Sequence, residues 1–452
     1  MNIKRYFVDG LAHASYLITS EEQAAVIDPS RDVDHYIDDA RDAGASIVAI
    51  METHPHADFA SGHVELAERT GASIYVSHLA AATYSHVDAY QDDQIPLGKT
   101  HRINVIETPG HSSDSLCFVI IESGLPTAVL TGDTLFVGDV GRPDFRDATE
   151  DPTVMAAALY DSLSQLAKLP DHVEVLPAHG AGSLCGRRIS SAPSSTIGAE
   201  KSGNWAYQIA NKQDFVREMT SNLPDRPGYF AHCLAMNLRG APPFSNHVKV
   251  TPIKPEALHD HVSQGVVLDI RPPSDFGWGH HPGSLNIGLA SPLFATWVGF
   301  FISAESPMVI VAASVEDVAI ARLELARIGF DHVVGCLLAK DLLSSSSHIP
   351  QLEACDLREE LRDGQQGALL DVRTIGELDA GHIEGAKHIP LSKLLGRLAE
   401  LPKNSDHTVI CDSGYRSSIA CSLMAKHGYT HSQNLSGGMT NFAEKDYNAL
   451  KS

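Results

Sequence analysis

The stretch IVAIMETHPHADFASGH, residues 47–63, decides how the first half of the chain is read. Its opening IVAIMET has the continuous apolar character of a buried strand, and it runs straight into His54, His56 and Asp58. Metal-binding side chains therefore sit in the loop at a strand's C-terminal end, where layered α/β folds place their sites. Phe59 comes next, a ring with no ligand atom inside a run of ligand types.

Outward from that stretch the same arrangement recurs. TPGHSSDS (108–115) carries His111, LTGDTLFVGDVGRPD (130–144) carries Asp133, and LPAHGAG (176–182) carries His179, each at the end of an apolar segment. One histidine among 24 is ordinarily a surface or satisfied core residue, whereas several in register form a pattern. Strand-like QAAVIDP and TAVLTGD alternate with helical DPTVMAAALYDSLSQLAKLP, in which Asp151 is expected to cap, Pro152 to open the helix, and Leu159, Leu163 and Leu166 to face a core. Residues 1–243 thus read as a layered α/β domain, ended by the Pro- and Gly-rich LRGAPPFSNHVKVTP.

After that connector the chain repeats itself. VVLDIRPPSDFGWGHHPGSLNI from 266 resembles ALLDVRTIGELDAGHIEGAKHI from 368, and VIVAASVEDVAIARLELARIGF from 309 resembles VICDSGYRSSIACSLMAKHGY from 409. Two small α/β modules are expected, at 252–345 and 350–452, joined through LLSSSSHIP. Cys411 and Arg416 of the second copy correspond to Ala312 and Asp317 of the first, so only one copy keeps its chemistry.

At 452 residues, 43% hydrophobic and 20% charged, the chain has the composition of an ordinary globular protein of several domains. A formal charge of −22 argues against a nucleic-acid groove or a polybasic membrane patch. The longest apolar run, LFATWVGFFI, is too short to span a bilayer, and the N-terminus has no export-signal pattern, so a cytoplasmic protein is expected. Seven cysteines without a C-x-x-C pair suggest neither a disulfide framework nor a zinc ribbon.

The order H-x-H-x-D, G-H, G-D and a late A-H resembles the metallo-β-lactamase superfamily, and implies its αββα sandwich over roughly residues 1–240. In the superfamily's binuclear hydrolases, such as glyoxalase II, the residue after the motif's Asp is a histidine at the second metal. Phe59 cannot serve there. His54, His111 and Asp133 remain as two imidazoles and a carboxylate, the facial set of mononuclear Fe(II) oxygenases, although zinc on His54, His56 and His111 fits the ligand types equally.

The segments ETHPHADFASGH, TPGHSSDS, GDTLFVGDVGRPD and APSSTIGAEKSGNWA resemble the persulfide dioxygenase branch closely. That resemblance implies one Fe(II) per chain on His54, His111 and Asp133, with His56 and Asp58 orienting the site from behind. Arg142 becomes a candidate for contacting the substrate's anionic part, beside the plainer reading of a structural salt bridge. PAHGAGSLCG departs from the PAHDY of stand-alone members; Cys185 in it reads as a buried structural thiol, or less readily as a secondary sulfur acceptor. His63 reads as structural, Cys421 as core, and His280 and His281 as facing solvent.

In the last module HTVI delivers Cys411 into CDSGYRSS, ahead of a helix. Backbone N–H groups at a helix start, with Arg416 nearby, favour thiolate over thiol, and Gly414 permits the tight turn. With LLDVR and GHIEGAKHIP upstream, this resembles a rhodanese domain, and the middle module a degenerate copy. The two resemblances imply a persulfide, such as glutathione persulfide, oxidised with O2 to sulfite, and sulfane-sulfur transfer between sulfite or thiosulfate and Cys411. The alternatives are a thioester hydrolase of glyoxalase II type and a sulfur relay or sensor in which only Cys411 reacts. A homo-oligomer is expected.

Overall fold

Along strand His13–Ser20 the pleat separates two sets of apolar side chains. Ala14, Tyr16 and Ile18 face one core and Leu17 another, because successive residues point to opposite faces of a sheet. Gln23–Ile27 divides alike, Ala25 and Ile27 against Ala24 and Val26. A strand buried on both faces must lie in the middle of a layered stack.

The computed structural model describes residues 1–145, 150–221, 223, 226–245, 249–258, 265–342, 347–443 and 450–451. They form two units, Met1–Ser245 with Leu325–Gly329, and Asn246–Glu324 with Phe330–Ser452.

The first unit contains two six-stranded sheets. One runs Asn2–Val8, His13–Ser20, Gln23–Ile27, Ser46–Met51, Ser73–Ser77, Val87–Ala89; the other runs Ser195–Thr196, Glu174–Pro177, Leu125–Gly132, Leu116–Glu122, His101–Glu107, Gln94–Leu97. Their facing sides share one core, in which Tyr16, Ile27 and Met51 meet Val105, Phe118, Ile120 and Leu130. Helices Asp34–Asp42 and His63–Thr70 cover the outer face of the first sheet through Tyr36, Ala40 and Leu66. Pro152–Leu166 and Lys212–Thr220 cover the second through Leu159, Leu163, Leu166 and Phe215. The fold is the expected αββα sandwich. Asp151 caps its helix by accepting from the Thr153 N–H, with Pro152 in the first turn, as its sequence predicts.

The second unit has two parallel sheets: Leu285–Asn286, Val266–Asp269, Met308–Ala312, Val333–Leu338, and Gln351–Leu352, Ser432–Leu435, His407–Ile410, Ala368–Asp371, Lys387–His388. Strand register carries the repeat into three dimensions. Asp269 pairs with Val311 and Asp371 with Ile410, so the next residues, Ala312 and Cys411, are equivalent. In each copy the arginine two residues past that aspartate grips it: Arg271 Nη2 to Asp269 Oδ2 at 2.6 Å, and Arg373 Nη2 to Asp371 Oδ2 at 2.7 Å. The same guanidinium nitrogens donate to the Gly279 and Gly381 carbonyls, which ties each strand end to the next loop.

His280 departs from the expectation of solvent exposure. Its ring stacks on Phe276 at 3.8 Å and its Nδ1 meets the Phe276 carbonyl at 2.8 Å, so it is buried at 3% exposure. Residues 246–248 of the first connector and 343–346 of the second lie outside the described residues. Among the described residues no helix is long and apolar enough to cross a membrane.

Candidate metal centre and sulfur-transfer loop

Strand Ser46–Met51 ends at the metal motif, and Asp28, ending the neighbouring strand at φ 50°, anchors the loop between them. Asp28 accepts from the Thr53 backbone N–H at 2.7 Å and from Thr53 Oγ1 at 2.9 Å. That pins the loop at the residue before His54. His111 Nδ1 lies 2.9 Å from the Arg142 carbonyl; a carbonyl only accepts, so Nδ1 carries the proton and Nε2 presents a lone pair. Gly141 allows this approach, since a Cβ there would stand 1.9 Å from the Asp133 carbonyl oxygen.

His54, His111 and Asp133, all buried, each offer a ligand atom within 4.8 Å of the others. His111 Nε2 and Asp133 Oδ2 have no hydrogen-bond partner among the described residues. Buried polar atoms left this way are costly unless a cation completes them, so the donor set fits one. Asp133 Oδ1 is held from the other side by His179 Nδ1 at 2.7 Å, and His179 Nε2 meets Asp58 Oδ2 at 2.7 Å. Burial disfavours a charged His179, but Asp133 and Asp58 outweigh it and hold the imidazole well above the ordinary histidine value. Burial likewise raises Asp133, and His179 overcomes it, keeping the carboxylate ionised.

Phe59, 1% exposed, lies against His13 at 3.8 Å and His56 at 4.4 Å. The phenyl ring fills space that a further ligand would need and turns His56 toward acids, with Nε2 3.1 Å from Asp28 and 3.9 Å from Glu52. His56 thus groups with Asp28 and Glu52 rather than with His54 and His111. His63 opens its helix, buried, 3.3 Å from Glu52.

Arg142 takes the salt-bridge arrangement. Its guanidinium donates to both Asp144 oxygens at 2.7 and 2.9 Å and to the Leu184 carbonyl at 3.2 Å, and its link to the metal ligands runs through its own carbonyl. A cavity of about 350 Å³ lies beside Ala57 and Phe145, walled by Phe230, Leu234 and Leu238. The Phe145 ring lies tilted with its centroid 4.1 Å from that of His111, so the cavity adjoins the ligand set. Cys185 is buried as expected, yet it shares a cluster with Asp58 and His179. Burial, reinforced by Asp58 and Asp133, pushes its thiol well above the usual value.

Sequence reasoning did not single out Asp28, Glu52 or His13. Asp28 ends the quoted strand QAAVIDP, a placement identical in kind to that of Asp133, and that was the available signal.

In the second unit Cys411 succeeds strand His407–Ile410, and Gly414 at φ 87° starts helix Tyr415–Lys426. The Gly414 N–H donates to Cys411 Sγ at 3.1 Å, and Ser417 Oγ lies 3.2 Å from it. A second glycine turn supports the loop: the Met439 N–H donates to the Cys411 carbonyl at 2.8 Å, and a Cβ on Gly438 would stand 2.4 Å from that oxygen. Arg416, in the first turn of that helix, donates to Glu377 at 2.8 Å. Arg416 and the Thr374 cap together bring the Glu377 carboxyl down to about 2. A depressed carboxyl contributes stability above its ordinary value of 4.5 that disappears as pH falls toward about 2. The side chain is a third exposed, so the contribution after solvent screening is about 1 kcal/mol or less. Between pH 5 and pH 3, Glu377→Gln is expected to lose less thermal stability than the wild type, read from melting curves of the full chain.

The corresponding loop of the first copy is bonded differently. Ser314 Oγ accepts from the Asp317 N–H and the Asp317 carboxylate accepts from the Ser314 N–H, both at 3.1 Å. The Ser314 hydroxyl thus caps this helix start and the Asp317 carboxylate reaches back to the Ser314 N–H, at the position where the other copy has Arg416. Asn286 of the first copy instead holds the reactive helix: Oδ1 accepts from Ser418 Oγ at 2.6 Å, and its N–H donates to Ser422 Oγ at 3.1 Å. Asn286→Ala strands the buried Ser418 hydroxyl, at a cost of about 1–3 kcal/mol. We expect a lower urea midpoint and a several-fold loss of sulfur transfer from thiosulfate to cyanide.

Family models of the metallo-beta-lactamase superfamily and of the rhodanese-like domain match residues 8–179 and 353–445. The chain is 32% identical over 171 residues to hydroxyacylglutathione hydrolase of Polaromonas sp., covering 36% of this chain and 61% of that one. It therefore spans about three fifths of that relative. A metallo-beta-lactamase structure from Staphylococcus aureus subsp. aureus COL shares 30% identity at a TM-score of 0.67, covering 75% of this chain and 98% of that one. ETHE1 from Myxococcus xanthus shares 28% identity at 0.46, covering 53% and 98%. The chain belongs to the metallo-beta-lactamase superfamily and carries a rhodanese-like domain behind its metal-binding domain.

Proposed function

We propose that this protein oxidises a low-molecular-weight persulfide with O2 at a single ferrous ion and transfers sulfane sulfur at Cys411. The observation that carries the reading is Phe59, buried between His13 and His56 in the position after the motif's aspartate. It leaves two imidazoles and a carboxylate as the first ligand set. A ferrous ion bound there would supply open positions for O2 and the persulfide. The overall reaction is RSSH + O2 + H2O → RSH + SO3²⁻ + 2H⁺. The Arg142 carbonyl fixes the His111 tautomer, His179 keeps Asp133 ionised and oriented, and the cavity beside Phe145 receives the carrier thiol. At Cys411 the persulfide Cys–S–S⁻ and sulfite interconvert with Cys–S⁻ and thiosulfate, the sulfane sulfur moving between the two nucleophiles.

A second reading, thioester hydrolysis, is favoured by the identity to a hydroxyacylglutathione hydrolase. The two separate cleanly, because only the first consumes O2. Offered glutathione persulfide and a glutathione thioester in turn, the purified protein is expected to consume O2 with the former and leave the latter intact. Anaerobic turnover of the thioester without O2 uptake on persulfide would reverse the assignment.

A further inference from the structure

We propose that Leu325–Gly329, the end of the first copy's helix, positions the metal-binding motif by clamping the loop that carries His56, Asp58 and Phe59. A module that has lost its own sulfur chemistry thereby serves the metal centre. Helix Val315–Arg327 falls by sequence in the module at 252–345, yet Leu325–Gly329 belongs to the same compact unit as Met1–Ser245. The last carbonyls of a helix lack partners within it and must find them elsewhere. Here the metal domain supplies them. The Ala326 carbonyl accepts from Arg31 Nη1 at 3.2 Å, and the Arg327 carbonyl from the Ala60 N–H at 2.7 Å. The Ile328 carbonyl accepts from Cys233 Sγ at 3.1 Å, and the Gly329 carbonyl from His232 Nε2 at 3.0 Å. Arg31, 1% exposed, also sets a cation at the negative end of the helix dipole. Gly329 permits the close approach: its φ of 75° ends the helix, and a Cβ there would stand 3.1 Å from the His232 ring and from Met236 Cε.

Arg327 is the centre of the clamp. Its carbonyl meets the residue directly after Phe59, and its guanidinium donates to Asp32, from Nε to Oδ1 at 3.0 Å and from Nη2 to Oδ2 at 2.7 Å. Asp32 lies in the loop that Asp28 opens, and Asp28 holds Thr53 beside His54. Arg327 therefore ties together the two loops that frame the motif. Asn237 grips the same stretch: Nδ2 donates to the His56 and Phe59 carbonyls, both at 2.7 Å, and Oδ1 accepts from the Ser61 N–H at 2.8 Å. Ala60 is fully buried, so its N–H needs an acceptor from the protein, and Arg327 provides it. If the helix end shifts, the Ala60 N–H follows it or reaches for water, and either movement carries Phe59 and the ring packing against His56 with it. The inference holds whether the metal domain oxidises persulfides or hydrolyses thioesters.

The test measures backbone amide exchange and cobalt(II) chloride binding in the full-length protein carrying Arg327→Ala or Gly329→Ala. The first releases Asp32 and the second drives a methyl group toward His232 and Met236, so the clamp is disturbed from two different atoms. In both variants peptides covering 56–62 are expected to exchange at least about 10-fold faster. Cobalt(II) should bind about 10–100-fold more weakly, with its d–d bands shifted. Arg327→Lys, which keeps a cation for Asp32, should restore most of both. Strand His407–Ile410 should exchange at the wild-type rate, and sulfur transfer at Cys411 should stay within about twofold, which separates the effect from general unfolding. Faster exchange over 315–329 with 56–62 and cobalt affinity unchanged would mean that the helix end anchors only itself, and would overturn the proposal. Faster exchange throughout the chain would overturn it as well.

Discussion

Cys411→Ser is expected to lower sulfur transfer from thiosulfate by at least about 10³-fold while O2 consumption with persulfide stays within about twofold. The first effect comes from the nucleophile. A serine hydroxyl in the same cradle, with one amide at about 3 Å and the Ser417 hydroxyl beside it, lacks the acidity to ionise and the polarisability to accept sulfur. The second effect comes from the placement of Cys411 and the His54, His111 and Asp133 set in different compact units. Loss of both activities would mean that the metal centre cannot turn over without Cys411, and the two-activity reading would fail. Retention of both would remove Cys411 from the chemistry. Restoring cysteine in the first copy, Ala312→Cys, should add nothing, because Asp317 stands where the other copy has Arg416 and its carboxylate, held on the Ser314 N–H, opposes an anionic sulfur.

The residues legible in the sequence share one property: each ends a strand. His54, His111, Asp133 and Cys411 could be found by locating an apolar run and inspecting the residues just past its end, since backbone geometry sends such residues to the open end of a layer. Offset alone also matched Ala312 with Cys411, and the pairing of Asp269 with Val311 and Asp371 with Ile410 gives the reason. The features that stayed hidden depend on contacts between distant segments. Cys185 lies in a loop with no period, and nothing near it in sequence says that Asp58, well over a hundred residues earlier, stands beside it. Arg142 was ambiguous because GRPD contains both a cation and, two residues on, the carboxylate that claims it. His280 looked exposed because a His-His-Pro-Gly run has the polarity of a turn, whereas stacking on Phe276 buries it. The role of Asn286 needed the tertiary structure, for its partners Ser418 and Ser422 lie in the other copy.

Asp133→Asn should have the other large effect, on metal content and on oxidation together. The change keeps the shape of the side chain and removes its charge, so one oxygen can still meet His179 while the ligand facing His111 loses its anionic character. A site of two neutral imidazoles and an amide holds a divalent cation far more weakly than two imidazoles and a carboxylate. We expect iron in protein purified without oxygen or chelators to fall from about one per chain to less than about a tenth, with persulfide oxidation down at least about 10³-fold. Cys411 sulfur transfer should be unchanged, which separates this outcome from general misfolding. His56→Ala provides the contrast. His56 faces Asp28 and Glu52, so its loss should weaken metal only about 10–100-fold, as removal of an orienting group does. If His56→Ala emptied the site and Asp133→Asn left it full, the metal would sit on the three histidines. Zinc would then be the ion to expect, and thioester hydrolysis would replace persulfide oxidation as the reading of this domain.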